Sequence, residues 1–235
     1  MKKGISIVSS YGKDVLLKNN DELITEQPGG PIVFLEEAIT RSRVPYTLFY
    51  GNTIDVHVLI TDDGEFGKIP QRPNPQKLPI DQLSDWAVIS TLLNEWDLSN
   101  LSNFNGKAFV DIQGYVREGS DFGKKRLWEE ATAFADSIFC IKGTNEEIKY
   151  LPESVRNAQK NKLLIATDGS RGLDIFYQGE GFFIPAVKID KPKDTLGAGD
   201  TFFGYFVASM YTGIQPLQAA EIAAQKTGEF LSQKK

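Results

Sequence analysis

The sequence predicts an α/β fold with a mostly parallel sheet covered by helices on both faces. Three observations carry that expectation. Short apolar runs of strand length alternate with helical patterns along the chain. The composition is that of an ordinary globular protein, 41% hydrophobic and 24% charged over 235 residues, which is enough chain to bury a sizeable core. Two segments break the alternation with antiparallel hairpin patterns, as an accessory flap on such a fold does.

The elements follow in order. The run I-S-I-V at 5–8 predicts a first strand. Residues 14–27, D-V-L-L-K-N-N-D-E-L-I-T-E-Q, predict a hairpin turning at Asn19, Asn20 and Asp21. A helix over 32–41 and a strand over 46–50 come next. A second hairpin is expected over 56–69, turning at Asp62, Asp63 and Gly64, and the two hairpins together predict a small β lid. Four prolines within 69–79 predict an extended connector from that lid back to the main body. Strands are expected at 86–90, 108–111 and 137–141, with helices over 123–135 and 148–159 around the last of them. Strands at 163–167, 173–177 and 182–184 precede helices over 196–211 and 216–232. The whole is expected to form one domain over residues 1–235, with the lid at about 14–27 and 56–69.

Several function classes are disfavoured. The net charge of −5 and the lack of any Lys/Arg cluster argue against a nucleic-acid or anionic-membrane partner. No window approaches the ~18 apolar residues of a membrane span, and the start M-K-K-G-I-S-I-V-S-S has too short an apolar run for a signal peptide. A cytoplasmic protein is expected. The single cysteine, Cys140, excludes an internal disulfide; it and His57 both sit in apolar strand patterns and are expected to be structural. After the first strand, S-S-Y-G-K-D lacks the glycine spacing of a dinucleotide fold, and G-S-D-F-G-K-K at 119–125 lacks the spacing of a Walker loop.

The stretch K-D-T-L-G-A-G-D-T-F-F-G at 193–204 carries the chemistry. Phe203, Phe206, Val207 and Met210 recur at helical spacing, so the glycines stand in the first turn of a helix that buries one face. Free amides and the positive end of the helix dipole make such a turn an anion site, and glycines let a phosphate approach the backbone. Asp200 is out of place beside an anion unless it accepts a proton, which a phosphoryl transfer to a hydroxyl requires. The alternative is plain capping, with Asp194 or Thr195 as N-cap.

D-T-L-G-A-G-D resembles, without a gap, the D-T-x-G-A-G-D signature of the ribokinase-like (PfkB) carbohydrate kinases. The resemblance implies a three-layer ribokinase-like sandwich, anion-hole roles for Gly197, Ala198 and Gly199, and a general-base role for Asp200. L-L-I-A-T-D-G-S-R-G at 163–172 is similar to the family's nucleotide-lining turn, which implies that Thr167, Gly169 and Gly172, with Thr195, serve the donor ATP; as residues alone, a glycine turn joining two strands is more often structural. I-K-G-T-N-E-E-I is similar to the N-x-x-E region that holds magnesium through water, implying Glu147, with Thr144 or, in a shifted register, Asn145 in place of the asparagine. Asp14 resembles the early acceptor-binding aspartate, and Gly29 and Gly30 the substrate-side glycine pair. Phe34 stands where the family has an asparagine. V-D-I-Q-G-Y-V-R resembles the D-x-N-x-R strand end in a form associated with an inositol-kinase-like branch, implying substrate contact by Asp111 and Arg117; a strand cap and a surface cation are the other readings. The region of Asp194 is implied, with Glu147, in metal binding and in holding a monovalent cation.

The expected activity is therefore ATP- and Mg2+-dependent transfer to a hydroxyl of a small sugar or polyol. The alternatives are a non-catalytic nucleotide- or sugar-binding protein of the same fold and a kinase for a nucleoside or other non-sugar alcohol. The lid region between Gly51 and Thr61 is shorter than in the resembled family, which predicts an open acceptor pocket, and a homodimer through the lid is the expected assembly.

Overall fold

The computed structural model describes residues 3–18, 22–61, 64–189 and 195–234. The strands are β1 (Ile5–Ser9), β2 (Gly12–Lys18), β3 (Glu22–Gly29), β4 (Tyr46–Tyr50), β5 (Ile54–Thr61), β6 (Gly64–Lys68), β7 (Gln76–Lys77), β8 (Trp86–Ser90), β9 (Trp96–Asp97), β10 (Lys107–Asp111), β11 (Arg117–Glu118), β12 (Asp121–Lys125), β13 (Ile138–Thr144), β14 (Leu163–Thr167), β15 (Gly172–Tyr177) and β16 (Glu180–Pro185). The helices are α1 (Pro31–Arg41), α2 (Gln113–Val116), α3 (Glu153–Asn161), α4 (Ala198–Tyr211) and α5 (Pro216–Gln233).

The main sheet has eight strands in the order β16-β15-β14-β13-β10-β8-β1-β4. β4 through β14 in that order are parallel, and β15 and β16 run antiparallel at one edge. Strand alternation divides the core in two. Ile5, Ile7, Val88, Phe109, Cys140 and Ile165 face α1, α4 and α5, whereas Val8, Ile89, Val110, Ile141 and Leu164 face the opposite layer around Tyr115, Trp128 and Val155. The carboxyl ends of the parallel strands therefore share one edge of the sheet, where open α/β folds place their ligands.

The lid is a separate sheet in the order β3-β2-β5-β6, with both hairpins antiparallel and β2 parallel to β5. It rests on the loop after β8 through a small cluster of Ile54, Val56, Ile69, Leu92 and Leu93, with Phe122 alongside. The proline-rich segment is extended as expected: the amide of Ile69 donates to Gly119 C=O at 2.8 Å, and β7 pairs with β9 before the buried Leu78.

Two expected helices are corrected. Residues 123–135 form no α-helix: β12 occupies 121–125, and a 3-10 run follows over Glu129–Ala133. Tertiary anchoring overrides helical propensity there, because Trp128 is buried and stacked on Tyr115 with ring centroids 4.5 Å apart. The helix expected over 148–159 is split into a 3-10 turn, Glu147–Tyr150, and α3. Pro152 forces Leu151 into an extended conformation (ψ 144) and breaks the run.

Candidate active site

The carboxyl ends of β8, β10 and β13 supply Ser90, Asp111 and Lys142, all on the face that α4 covers. Asp111 and Lys142 are register partners on adjacent parallel strands. Asp111 Oδ2 accepts a 2.6 Å bond from Lys142 Nζ, and both side chains are buried. α4 begins directly above. Its N-cap is Gly197, in the left-handed region at φ 75, and no side chain caps the helix, so the capping alternative for Thr195 is not realised; Asp194 lies outside the described residues. A Cβ at Gly197 would collide with the Phe34 ring of α1, and one at Gly199 would lie 3.0 Å from Lys142 Nζ. At 197 the positive φ and the Phe34 ring together require glycine.

The amides at the turn are partly committed. Ala198 N–H donates to Thr195 C=O at 3.1 Å and Thr201 N–H to Gly197 C=O at 2.8 Å. Helix geometry leaves the Gly199 and Asp200 amides without intrahelical acceptors, which makes them the donors available to an anion.

Asp200 is partly exposed, and its Oδ1 accepts a 3.1 Å bond from Ser90 Oγ. Burial raises its pKa from 3.8 to about 6, with Lys142 opposing that rise, Asp111 adding to it, and Ser90 and Arg117 opposing it. Burial also pushes Asp111 upward against the pull of Lys142. For Lys142, burial alone would lower the pKa, but Asp111, Asp200 and Glu147 overcome it and the net direction is up, so the ammonium form is favoured. Arg117, expected as a substrate contact or surface cation, is partly buried: it lies 4.1 Å over the Phe122 ring and donates to Leu92 C=O and Gln113 Oε1 at 3.4 Å. It links the lid cluster to the acidic centre.

The remaining expected residues fall into two flanking groups. Asp14 is buried at the base of the lid with its carboxylate against Gly29, and Gly30 caps α1. One turn further along α1, Phe34 meets Gly197, so Gly29, Gly30 and the turn at Gly197 are joined through one helix. On the other side, Thr144 and Thr167 are register partners on β13 and β14. Thr167 Oγ1 donates to Gly143 C=O, Gly169 faces open space, and Gly172 closes the turn against Ile184 C=O. Glu147 is held at that edge by a reciprocal pair: Thr144 N–H donates to Glu147 Oε2 at 2.9 Å, and Glu147 N–H to Thr144 Oγ1 at 3.1 Å. Asn145, the alternative in the shifted register, donates to Asp168 instead.

Sequence reasoning missed Ser90, Lys142 and Glu95. Lys142 had a signal, a lone lysine inside the apolar strand run F-C-I-K-G. Glu95 is buried and its Oε1 accepts the amides of Leu92 and Leu93 at 3.0 and 2.9 Å, ordering the loop beneath the lid. His57, expected to be structural, lines an open cleft of ≈ 720 Å³ beside the lid together with Leu17, Lys68, Leu93 and Glu118. Cys140 is buried as expected.

Residues 129–235 match the model of the pfkB family carbohydrate kinases. Over 98% of its length the chain superposes on 93% of a ribokinase from Thermotoga maritima, with a TM-score of 0.71 and 17% identity. The fold is ribokinase-like, and residues 129–235 are similar to the pfkB family. The ribokinase-like chain is similar over 95% of its length to 93% of a pyrophosphate-dependent kinase of the ribokinase family solved with a pyrophosphate analogue and myo-inositol (TM-score 0.73, 16% identity). In sequence it resembles fructokinase-2 of Zea mays, 31% identical over 93 residues, and 2-dehydro-3-deoxygluconokinase of Thermoproteus tenax, 38% identical over 55 residues. Those segments are 36% and 23% of this chain, and the matches span only 25% and 17% of the relatives. Among the described residues no helix is long and apolar enough to cross a membrane.

Proposed function

We propose that the ribokinase-like chain is a small-molecule kinase that transfers the terminal phosphoryl group of ATP to a hydroxyl of a sugar or polyol, working as a single unit of sheet and lid. One observation carries this reading. Asp200 stands in the first turn of α4 at the carboxyl edge of the parallel strands, bonded to Ser90 and within the field of Lys142, with a pKa raised to about 6. A base that titrates near the working pH is suited to taking a proton from an alcohol.

In the proposed reaction the acceptor oxygen attacks the γ-phosphorus and forms the new O–P bond. The bond from that phosphorus to the bridging oxygen breaks, ADP leaves, and the alcohol proton passes to Asp200. The amides of Gly199 and Asp200 face the phosphoryl oxygens, with Gly197 shaping the turn. Thr167 and Gly169 line the donor side. Asp14, Gly29 and Gly30 bind the acceptor beneath the lid, whose closure excludes competing water. Asp111 is committed to Lys142, so its part is to set the charge of the centre.

Among the described residues no three His, Cys, Asp or Glu side chains converge into a protein cage. One buried carboxylate, Glu147, is fixed at the strand edge. This fits a magnesium ion carried mainly by phosphate and water, with Glu147 holding it through water. When bound, the ion would neutralise charge on the phosphate oxygens.

The solved neighbours supply the substrates to try: a ribokinase of Arabidopsis thaliana was solved with ribose and ATP, and the pyrophosphate-dependent kinase with myo-inositol. The test is a donor-consumption assay with ATP and with pyrophosphate across sugars, inositols and nucleosides. Turnover is expected with ATP and a sugar or polyol, and Asp200→Asn should reduce kcat by about 10²–10⁴ with donor affinity retained. Unchanged kcat in that variant would refute the base; ATP binding without turnover on any acceptor would favour a binding protein.

A further inference from the structure

Lys142 was given no role by the motif I-K-G-T-N-E-E-I that contains it, yet it occupies the centre of the site. The pairing of β10 with β13 sets it level with Asp111, and strand alternation turns both side chains toward α4. Its ammonium lies 2.6 Å from Asp111 Oδ2 and directly under the Gly199 face of the anion turn. A buried ion pair that merely ties two strands together has no reason to sit against a helix N-terminus beside a second carboxylate. A helix start repels a cation, since its own partial charge is positive, so the placement needs Asp200 as an additional anion.

We propose that Lys142 is a positioning residue for phosphoryl transfer: held by Asp111 against the Gly199 face of the turn, it keeps the Asp200 carboxylate ionised and oriented beside Ser90. The inference rests on the kinase reading for its purpose, but the link between Lys142 and Asp200 is a property of the chain alone. Among the described residues, three further charged groups act on the pair. Asp111 reaches it from β10, Glu147 from the turn after β13, and Arg117 from the end of α2. The charged residues of α1 and α5 that approach α4, namely Glu37, Arg41, Lys226 and Glu229, act on Tyr205 further down the helix. Among the described residues Lys142 is thus the cation acting most strongly on Asp200, with Asp111 its chief competitor for that cation.

This competition gives the test two opposite signs. Asp200 is titrated by carboxyl-carbon NMR on 13C-aspartate-labelled protein, with the pH profile of kcat/KM measured in parallel. In Lys142→Met the Asp200 midpoint should rise by about 1–3 pH units, the span expected when an adjacent opposite charge is lost. In Asp111→Asn it should fall, because Lys142 then serves Asp200 alone. Lys142→Arg should stay near the parent value. The double variant Lys142→Met/Asp111→Asn leaves no orphaned buried charge, so it keeps the test alive if a single variant fails to fold; its midpoint should lie above that of the parent. A midpoint unmoved in every folded variant, with only thermal stability lost, makes Lys142 a structural tie and overturns the proposal. If the midpoints move as expected while the parent turns over no donor or acceptor, the kinase reading fails and the Lys142–Asp200 linkage stands.

Discussion

At the scale of single residues, Asp200 sets stability against the proposed proton transfer. Its native pKa of about 6 lies above the ordinary 3.8, so the folded protein keeps a proton that the unfolded chain releases between those values. Stability therefore falls as pH rises through that window and is level above it. Asp200→Asn removes the ionisation while keeping an oxygen for Ser90. Its melting temperature should match the parent near pH 4 and exceed it at pH 8. Allowing for the partial exposure of the side chain, the difference is on the order of 2 kcal/mol, or about 4–8 °C for a chain of this size. Thermal melts across pH check this, and a gap that is the same at pH 4 and pH 8 would contradict it. Gly197 makes a second residue-scale case, with Gly213 as its control. Both have positive φ, 75 and 93, but Gly213 has open space where a Cβ would go, whereas Gly197 has the Phe34 ring. Gly213→Ala should cost about 1–2 kcal/mol, the conformational term alone. Gly197→Ala should cost clearly more, and Gly197→Ala/Phe34→Ala should cost less than the sum of its two parts, as denaturant titration can show.

At the scale of elements, what could be read in advance was what local pattern controls. The parallel strands were legible because Ile5, Val8, Val88, Phe109 and Leu164 sit in short apolar runs that nothing but a covered sheet can bury. α1, α4 and α5 were legible from their apolar spacing, and both lid hairpins from their strand patterns. The helix expected over 123–135 failed because Trp128 is held by Tyr115 of another element, and one chain segment carries no record of that partner. Pro152, by contrast, is a local signal of the break, since its ring restricts Leu151 to an extended conformation. The same distinction divides the site. Gly197, Gly199 and Asp200 are contiguous and could be recognised as a turn. Ser90, Asp111 and Lys142 come together only through the order β8-β10-β13, and sheet order is a long-range property. Arg117 was legible as a residue but not as a bridge, since its contact with Phe122 depends on how the β11–β12 hairpin meets the lid.

At the scale of the whole molecule, two bodies of unequal stability share one site. The main sheet is buried on both faces by extensive cores, while the lid, among the described residues, is held by the small cluster Ile54, Val56, Ile69, Leu92 and Leu93 together with the buried Val15 and Leu17. Burial of a full aliphatic side chain contributes roughly 1.5–3 kcal/mol before the entropy of ordering is subtracted. The lid should therefore open at a free energy well below that of global unfolding. The buried Asp14 stands at its base and Arg117 bridges it to the acidic centre, so an acceptor bound between them would add contacts to the closed form alone and shift the population toward it. Native-state hydrogen exchange is the measurement. Without ligand, amides of β5 and β6 should exchange faster than those of β8 and β10. A turned-over acceptor should slow the lid amides strongly and leave the central strands unchanged, and donor alone should protect chiefly the amides at the start of α4. Equal protection of lid and central strands in the free protein would mean that the lid unfolds only with the body, and closure could then not be what excludes water from the transfer.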